Sequence, residues 1–325
     1  MRPACIFLLL ILGAASIWSQ SESDFELLKV TALTQDDGRG TRFRDPARLF
    51  FDRNSQELFV ADAGNHRIVI LDTNLLAVHS FDHFVTNPFT GETTKGQPMA
   101  VVVSSRGEIF VVDALADYVD VLDFRGQSLE RIYPNRLLGD TTLRIKPTAL
   151  TIDDSDNLYL IVSGDKTTVL VLDASLSMIR TIGKVGDSPE NFSTPSAIGV
   201  FEGRVYVTDM HSLPAVKVFD STGVYISGFA AHDIDTKDLS LPQSIGFTVV
   251  AGKVVIWILD TLRQVIKIYS LDGELVFTIG GMGTDLGKFQ FPSGLSTDYT
   301  STVYVSEKVG GRIQKFQILY QDIIR

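Results

Sequence analysis

The sequence predicts an all-β fold: a six-bladed β-propeller with four-stranded antiparallel blades. Three observations predict it. Six X-Pro steps recur at Pro46, Pro98, Pro147, Pro195, Pro242 and Pro292, spaced 52, 49, 48, 47 and 50 residues apart. About a dozen residues after each, a short apolar strand begins. Five of the six strands then end in a carboxylate, at Asp62, Asp113, Asp209, Asp260 and Glu307, with Val162 in the third copy. So regular a period over most of a chain means one supersecondary unit copied side by side.

The units share a grammar. The first runs from Asp45 to Asp72, the second from Gln97 to Asp123, and the others start at Lys146, Thr194, Leu241 and Phe291. Each holds three short runs rich in Val, Ile, Leu and aromatics. Turn residues such as Arg106-Gly107, Asp156-Asn157, Glu202-Gly203 and Ala251-Gly252 separate them. Runs this short, bounded by turn chemistry, read as strands. A fourth run follows at Leu75–Phe81, Ser128–Ile132, Met178–Ile182, Val224–Phe229 and Glu274–Ile279. Four strands per repeat of this length make a propeller blade. The last copy lacks its fourth run. Glu26-Leu27-Leu28-Lys29-Val30-Thr31 resembles Glu274–Ile279, so the N-terminal segment is expected to supply the outer strand of the last blade and close the ring.

An aromatic stands three residues before the carboxylate position in all six copies: Phe59, Phe110, Tyr159, Tyr206, Trp257 and Tyr304. This column is expected to pack blade against blade. Asp52, Asp153 and Asp298 end first strands and read as turn residues.

Asp62-Ala63-Gly64-Asn65-His66-Arg67-Ile68 resembles the signature of the NHL repeat, and Glu307-Lys308-Val309-Gly310-Gly311-Arg312-Ile313 is similar in weaker form. The resemblance covers the chain from about Phe25 to Ile318. It implies a propeller of a family whose members bind proteins or RNA and, less often, catalyse reactions; a fold does not by itself assign a function. The signature Arg is replaced by Tyr118 in the second copy, by a residue near Thr167 in the third, near Pro214 in the fourth, and by Val265 in the fifth. The Asp and Arg are expected to brace loops or tie adjacent blades.

The chain opens with Arg2, an apolar run from Ile6 to Leu12 and small residues beyond, the pattern of a secretory signal peptide cleaved near Ser19. A single propeller domain over residues 20–325 is expected to follow, secreted to the periplasm or exterior of a bacterial envelope. The one cysteine, Cys5, leaves with the signal, which excludes a disulfide framework and a cysteine nucleophile from the mature chain. Removal of residues 1–19 leaves 28 basic and 39 acidic side chains, net −11. Such a balance argues against a nucleic-acid partner. A small basic cluster, Arg39, Arg42, Arg44 and Arg48, lies beside Asp36, Asp37 and Asp45 as possible ion-pair partners. Asn191-Phe192-Ser193 is a formal glycosylation acceptor.

In a propeller, the loops joining strands two and three and those joining successive blades share one face. Here these are the longer loops, His83–Lys95, Gly183–Ser193, Ala230–Ser240 and Gly280–Lys288 among them. Variable loops on a rigid ring usually carry binding. The candidate binding face comprises Asp62, Asn65, His66, Arg67, Asp113, Tyr118, Asp209, His211, Asp260, Arg263, Glu307 and Arg312, with Asp117 and Asp165 beside them. No catalytic residue, cofactor or metal is assigned. His79 and His83 have ligand-like spacing but span a strand end and a loop, and read as surface histidines. The histidine set of the zinc-dependent amidating lyases and the Glu, Asn and Asp set of propeller lactonases, both implied by related propellers, are not matched. The expectation is a monomeric, non-enzymatic module for a protein, peptide or glycan. A metal-dependent hydrolase or lyase working at the central channel is the alternative.

Overall fold

The computed structural model describes residues 28–318 except 88–89, 233–234 and 251. The expected signal segment and the first two residues of the expected closing strand lie outside the described residues. Six four-stranded antiparallel sheets are present. Blade one is β2 (Pro46–Asp52), β3 (Glu57–Asp62), β4 (Arg67–Leu71) and β5 (Ala77–Asp82). A two-stranded hairpin, β6 (Phe84–Thr86) and β7 (Thr93–Lys95), rises from the loop that follows. Blade two is β8 (Pro98–Val103), β9 (Ile109–Asp113), β10 (Val119–Leu122) and β11 (Ser128–Ile132), followed by one helical turn, α1 (Pro134–Leu137). Blade three is β12 (Ile145–Ile152), β13 (Leu158–Gly164), β14 (Thr168–Leu172) and β15 (Met178–Ile182). Blade four is β16 (Pro195–Phe201), β17 (Arg204–Asp209), β18 (Val216–Phe219) and β19 (Tyr225–Phe229). Blade five is β20 (Pro242–Val250), β21 (Lys253–Asp260), β22 (Val265–Ser270) and β23 (Leu275–Gly280). Blade six is β24 (Pro292–Thr297), β25 (Thr302–Glu307) and β26 (Arg312–Ile318), completed by β1 (Leu28–Thr34). The ring therefore closes as the sequence implied, with β1 antiparallel to β26 from Leu28↔Ile318 to Thr34↔Ile313.

The repeated proline has a local reason. It begins the innermost strand in five blades, where an edge position needs no N–H from it. In every blade the register slips directly after it, as between Pro98 and Ala100. Such a bulge leaves one residue unmatched in the ladder. The turn between strands three and four is set by an aspartate whose side chain accepts two backbone amides: Asp72 from Asn74 and Leu76, and likewise Asp123, Asp173 and Asp220. Asp52, Asp153 and Asp298 do the same between strands one and two, as expected. Outer strands are half-exposed, which explains their weaker apolar pattern.

The core is divided among the interfaces between blades. Six hydrophobic clusters join adjacent pairs in turn, including one across the closing seam that combines Phe43, Leu49 and Phe51 with Tyr304 and Ile313. Each of the six recurrent aromatics is at most 6% exposed. Phe51 stacks on Tyr304 at 5.3 Å between blades one and six, and Tyr206 meets Phe247 at 5.0 Å between blades four and five. Trp257 is fully buried, and its indole N–H donates to Thr248 Oγ1 at 2.7 Å. No helix among the described residues is long and apolar enough to cross a membrane.

Candidate functional site

The carboxylates at the ends of the second strands reach the loop face but do not look out of it. Asp62, Asp113, Asp209, Asp260 and Glu307 are each at most 2% exposed. They hold the loops that enter their own blades. Asp62 accepts the Arg44 amide, Asp209 those of Ser193 and Thr194, Asp260 those of Ser240 and Leu241, and Glu307 that of Gln290. In blade three, where Val162 interrupts the pattern, Asp165 takes over and accepts the Arg144 amide. Backbone amides buried in a loop need acceptors, and a carboxylate satisfies two at once.

The signature arginines are braces too. Arg67 bridges Asp62 at 2.8 Å and Asp37 at 2.6 Å. Burial opposes its charge, but the two carboxylates outweigh burial and raise its pKa. Arg312 pairs with Glu307 at 2.6 Å and donates to the carbonyls of Thr284 and Lys288. Gly64 has to be small because a Cβ there would lie 2.7 Å from the Arg44 carbonyl oxygen. The register places Tyr118 opposite Asp113, and Val265 pairs with Asp260, as the sequence suggested. In blades three and four the equivalent residues are Thr168, paired with Val162, and Ala215, whose carbonyl accepts the Asp209 amide.

The blades without the arginine replace it. In blades four and five a lysine two residues further along strand three is buried and reaches the same loop. Lys217 donates to the Pro189 carbonyl at 2.9 Å, and Lys267 to those of Thr236 and Asp238. Thr168 donates to Ile182 and Gly183 carbonyls in blade three. Blade two uses a histidine from the loop. His83, expected at the surface, is buried between Asp113, 3.0 Å from Nδ1, and Asp120, 3.7 Å from Nε2. Burial pushes its pKa down, but the paired carboxylates prevail and raise it above 6.5. His79 is exposed beside Phe81, so the two histidines do not converge. Among the described residues no three His, Cys, Asp or Glu are grouped to hold a metal. Asn191, the formal glycosylation acceptor, is buried.

Of the remaining candidates, Asn65 donates to the Arg42 carbonyl and Asp62, and His66 Nδ1 lies 2.6 Å from the Gly96 carbonyl. His211 is exposed with Nδ1 3.0 Å from Thr194 Oγ1, and Arg263 is half-exposed and donates to Ser240 Oγ. These four are distributed around the ring and meet at no single point.

One pocket of about 330 Å³ does open among these loops. The β6–β7 hairpin forms one wall, through Val85, Thr86 and Thr94, and the blade-two loop Leu115–Tyr118 forms the other. Lys146 stands at its side. Tyr118 is buried and lines it, with its hydroxyl accepting the Thr86 amide at 2.9 Å and its ring under Arg131. Leu115 is 56% exposed. Asp117 Oδ1 is buried without a hydrogen-bond partner. The sequence marked Asp117 and Tyr118 as loop-face residues. It did not distinguish Leu115 or Lys146, since nothing in their local pattern signals a shared wall.

No family model matches the chain, and no curated protein matches it. Solved structures are similar to it at low identity. A streptogramin B lyase is 14% identical with a TM-score of 0.58, over 91% of this chain and 99% of that one. A gluconolactonase from Xanthomonas campestris is 13% identical with a TM-score of 0.62, over 91% and 96%. Hydrazine synthase from Kuenenia stuttgartiensis is 13% identical with a TM-score of 0.57, over 87% and 99%. At such identity the likeness establishes the fold. The chain is a six-bladed β-propeller.

Proposed function

We propose that this chain is a secreted, NHL-like propeller that binds a protein, peptide or glycan partner at its loop face without catalysing a reaction. The observation that carries this reading is Asp117. A buried carboxylate oxygen without a donor is costly, and its residue, Asp117, is one of those lining the 330 Å³ pocket. A hydroxyl, amide or ammonium of a partner seated in the pocket pairs with the Asp117 carboxylate once that side chain turns toward it. Leu115 offers apolar contact on the same loop. The net charge, −10 over the full sequence and −11 without residues 1–19, favours basic or neutral polar groups over anionic ones.

The test is a titration of the purified protein against glycan and basic-peptide arrays, repeated with Asp117→Asn and Leu115→Ala. Asp117→Asn keeps the shape and removes the charge. A ligand held by the wild type and weakened about tenfold or more by Asp117→Asn supports the reading, the scale expected for a charge-assisted hydrogen bond. A ligand indifferent to both variants overturns it. The alternative, a metal-dependent hydrolase or lyase, takes its support from the likeness to a lyase and a gluconolactonase. Metal analysis after exhaustive dialysis separates the two, with a stoichiometric ion favouring the enzyme.

A further inference from the structure

The central channel carries a cation with no anion. Directly after the bulge, the innermost strands place Ala100, Ala149, Ala197, Ser244 and Gly294 in five blades. These residues are small because the strands converge there: a Cβ on Gly294 would lie 2.8 Å from the Arg48 Cα. In blade one the equivalent residue, immediately before Leu49, is Arg48. Its side chain crosses the channel. Nε donates to the Gln243 carbonyl at 3.2 Å, Nη1 to Thr148 at 2.9 Å and Nη2 to Ser196 at 2.6 Å. These carbonyls belong to the bulge residues of blades five, three and four, on the far side of the ring.

Three carbonyls use three of the five N–H donors of a guanidinium. No carboxylate pairs with Arg48 among the described residues. Burial pushes its pKa down to about 10, so it remains charged at neutral pH. A cavity of about 70 Å³ adjoins it, lined by Leu49, Val101, Leu150 and Phe247 and by the hydroxyl-bearing Thr151 and Ser296. That volume exceeds the roughly 10–15 Å³ needed for one water and admits only a few heavy atoms.

We propose that the channel binds a small carboxylate of formate or acetate size against Arg48. Nη1 and Nη2 each keep one N–H beyond these bonds, carboxylates accept readily from guanidinium donors, and the apolar wall accommodates a short alkyl group. The site is separate from the loop-face pocket and independent of the function proposed for it.

The probe is sodium acetate, titrated at constant ionic strength against sodium chloride. The expected result is a saturable rise in melting temperature with acetate beyond that with chloride, and line broadening of carbon-13 acetate in the presence of protein. Both are lost in Arg48→Met. Arg48→Lys keeps the charge without the fork, and weakens acetate binding about tenfold. Should Arg48→Met fail to fold, the Lys variant and the acetate signal of the wild type decide. Equal effects of acetate and chloride, no saturable effect in the wild type, or undiminished binding in Arg48→Lys each overturn the proposal.

Discussion

Replacing Arg67 with Met tests whether the loop-face charges are braces. Arg67 is buried, joins Asp62 and Asp37, and donates to the Thr41 carbonyl. Met preserves most of the volume and removes the charge. Two buried carboxylates then face each other without their cation. Breaking such a pair from one side costs about 3–5 kcal/mol. In a chain of this size that lowers the melting temperature by about 6–10 °C. Arg263→Met is the internal control. Arg263 lies 3.9 Å from the buried Asp260, beyond hydrogen-bond distance, and its side chain is 31% exposed, so its removal is expected to cost less than that of Arg67. The pH dependence adds a second readout. Burial would raise the Asp37 pKa, but the Arg67 hydrogen bond and two backbone amides lower it below 3.8. A carboxyl lowered in the folded state stabilises fully above its unfolded value and loses that contribution as pH falls through the lowered one. The gap between wild type and Arg67→Met therefore narrows in acid. Differential scanning calorimetry from neutral pH to pH 3 measures both effects. Equal shifts in the two variants, or a loss under about 2 °C for Arg67→Met, would refute the account.

Two further outcomes follow from the same geometry. His83→Gln removes the cation between Asp113 and Asp120. Because the His83 pKa is raised, its contribution is complete below pH 6.5 and is lost as pH climbs through the raised value. The stability difference from wild type, followed by chemical denaturation across pH 5–9, should shrink toward the alkaline end, and a difference that grows there is inconsistent with a charged imidazole. Deleting residues 28–34 removes β1 and exposes the edge of β26. At about 1 kcal/mol per ladder bond, the cost is roughly 5 kcal/mol before any lost packing, and unchanged thermal unfolding after the deletion would contradict closure through this strand.

The ring was legible in the sequence because its causes are local. Proline starts an inner strand, Asp turns the chain, and an aromatic three residues before the carboxylate fills the gap between blades. These demands repeat with every unit, so they surface as a period. The loop face was not legible in the same way. A carboxylate at the end of a strand looks identical in sequence whether it faces a partner or a loop amide, and only the path of the preceding loop decides. Asp62 and Asp209 were spent on Arg44, Ser193 and Thr194, residues 15–18 positions upstream. One signal did exist. Lys217, Lys267 and Asp120 each interrupt an otherwise apolar third strand, and a charge at such a position must find a partner inside the fold. The four blades that lack the signature arginine each carry a substitute brace. They show one requirement, anchoring the loop between blades, met in different chemistries. Specificity is then better sought at the Asp117 oxygen without a donor beneath the hairpin and at the Arg48 charge, which meets carbonyls but no carboxylate, in the channel.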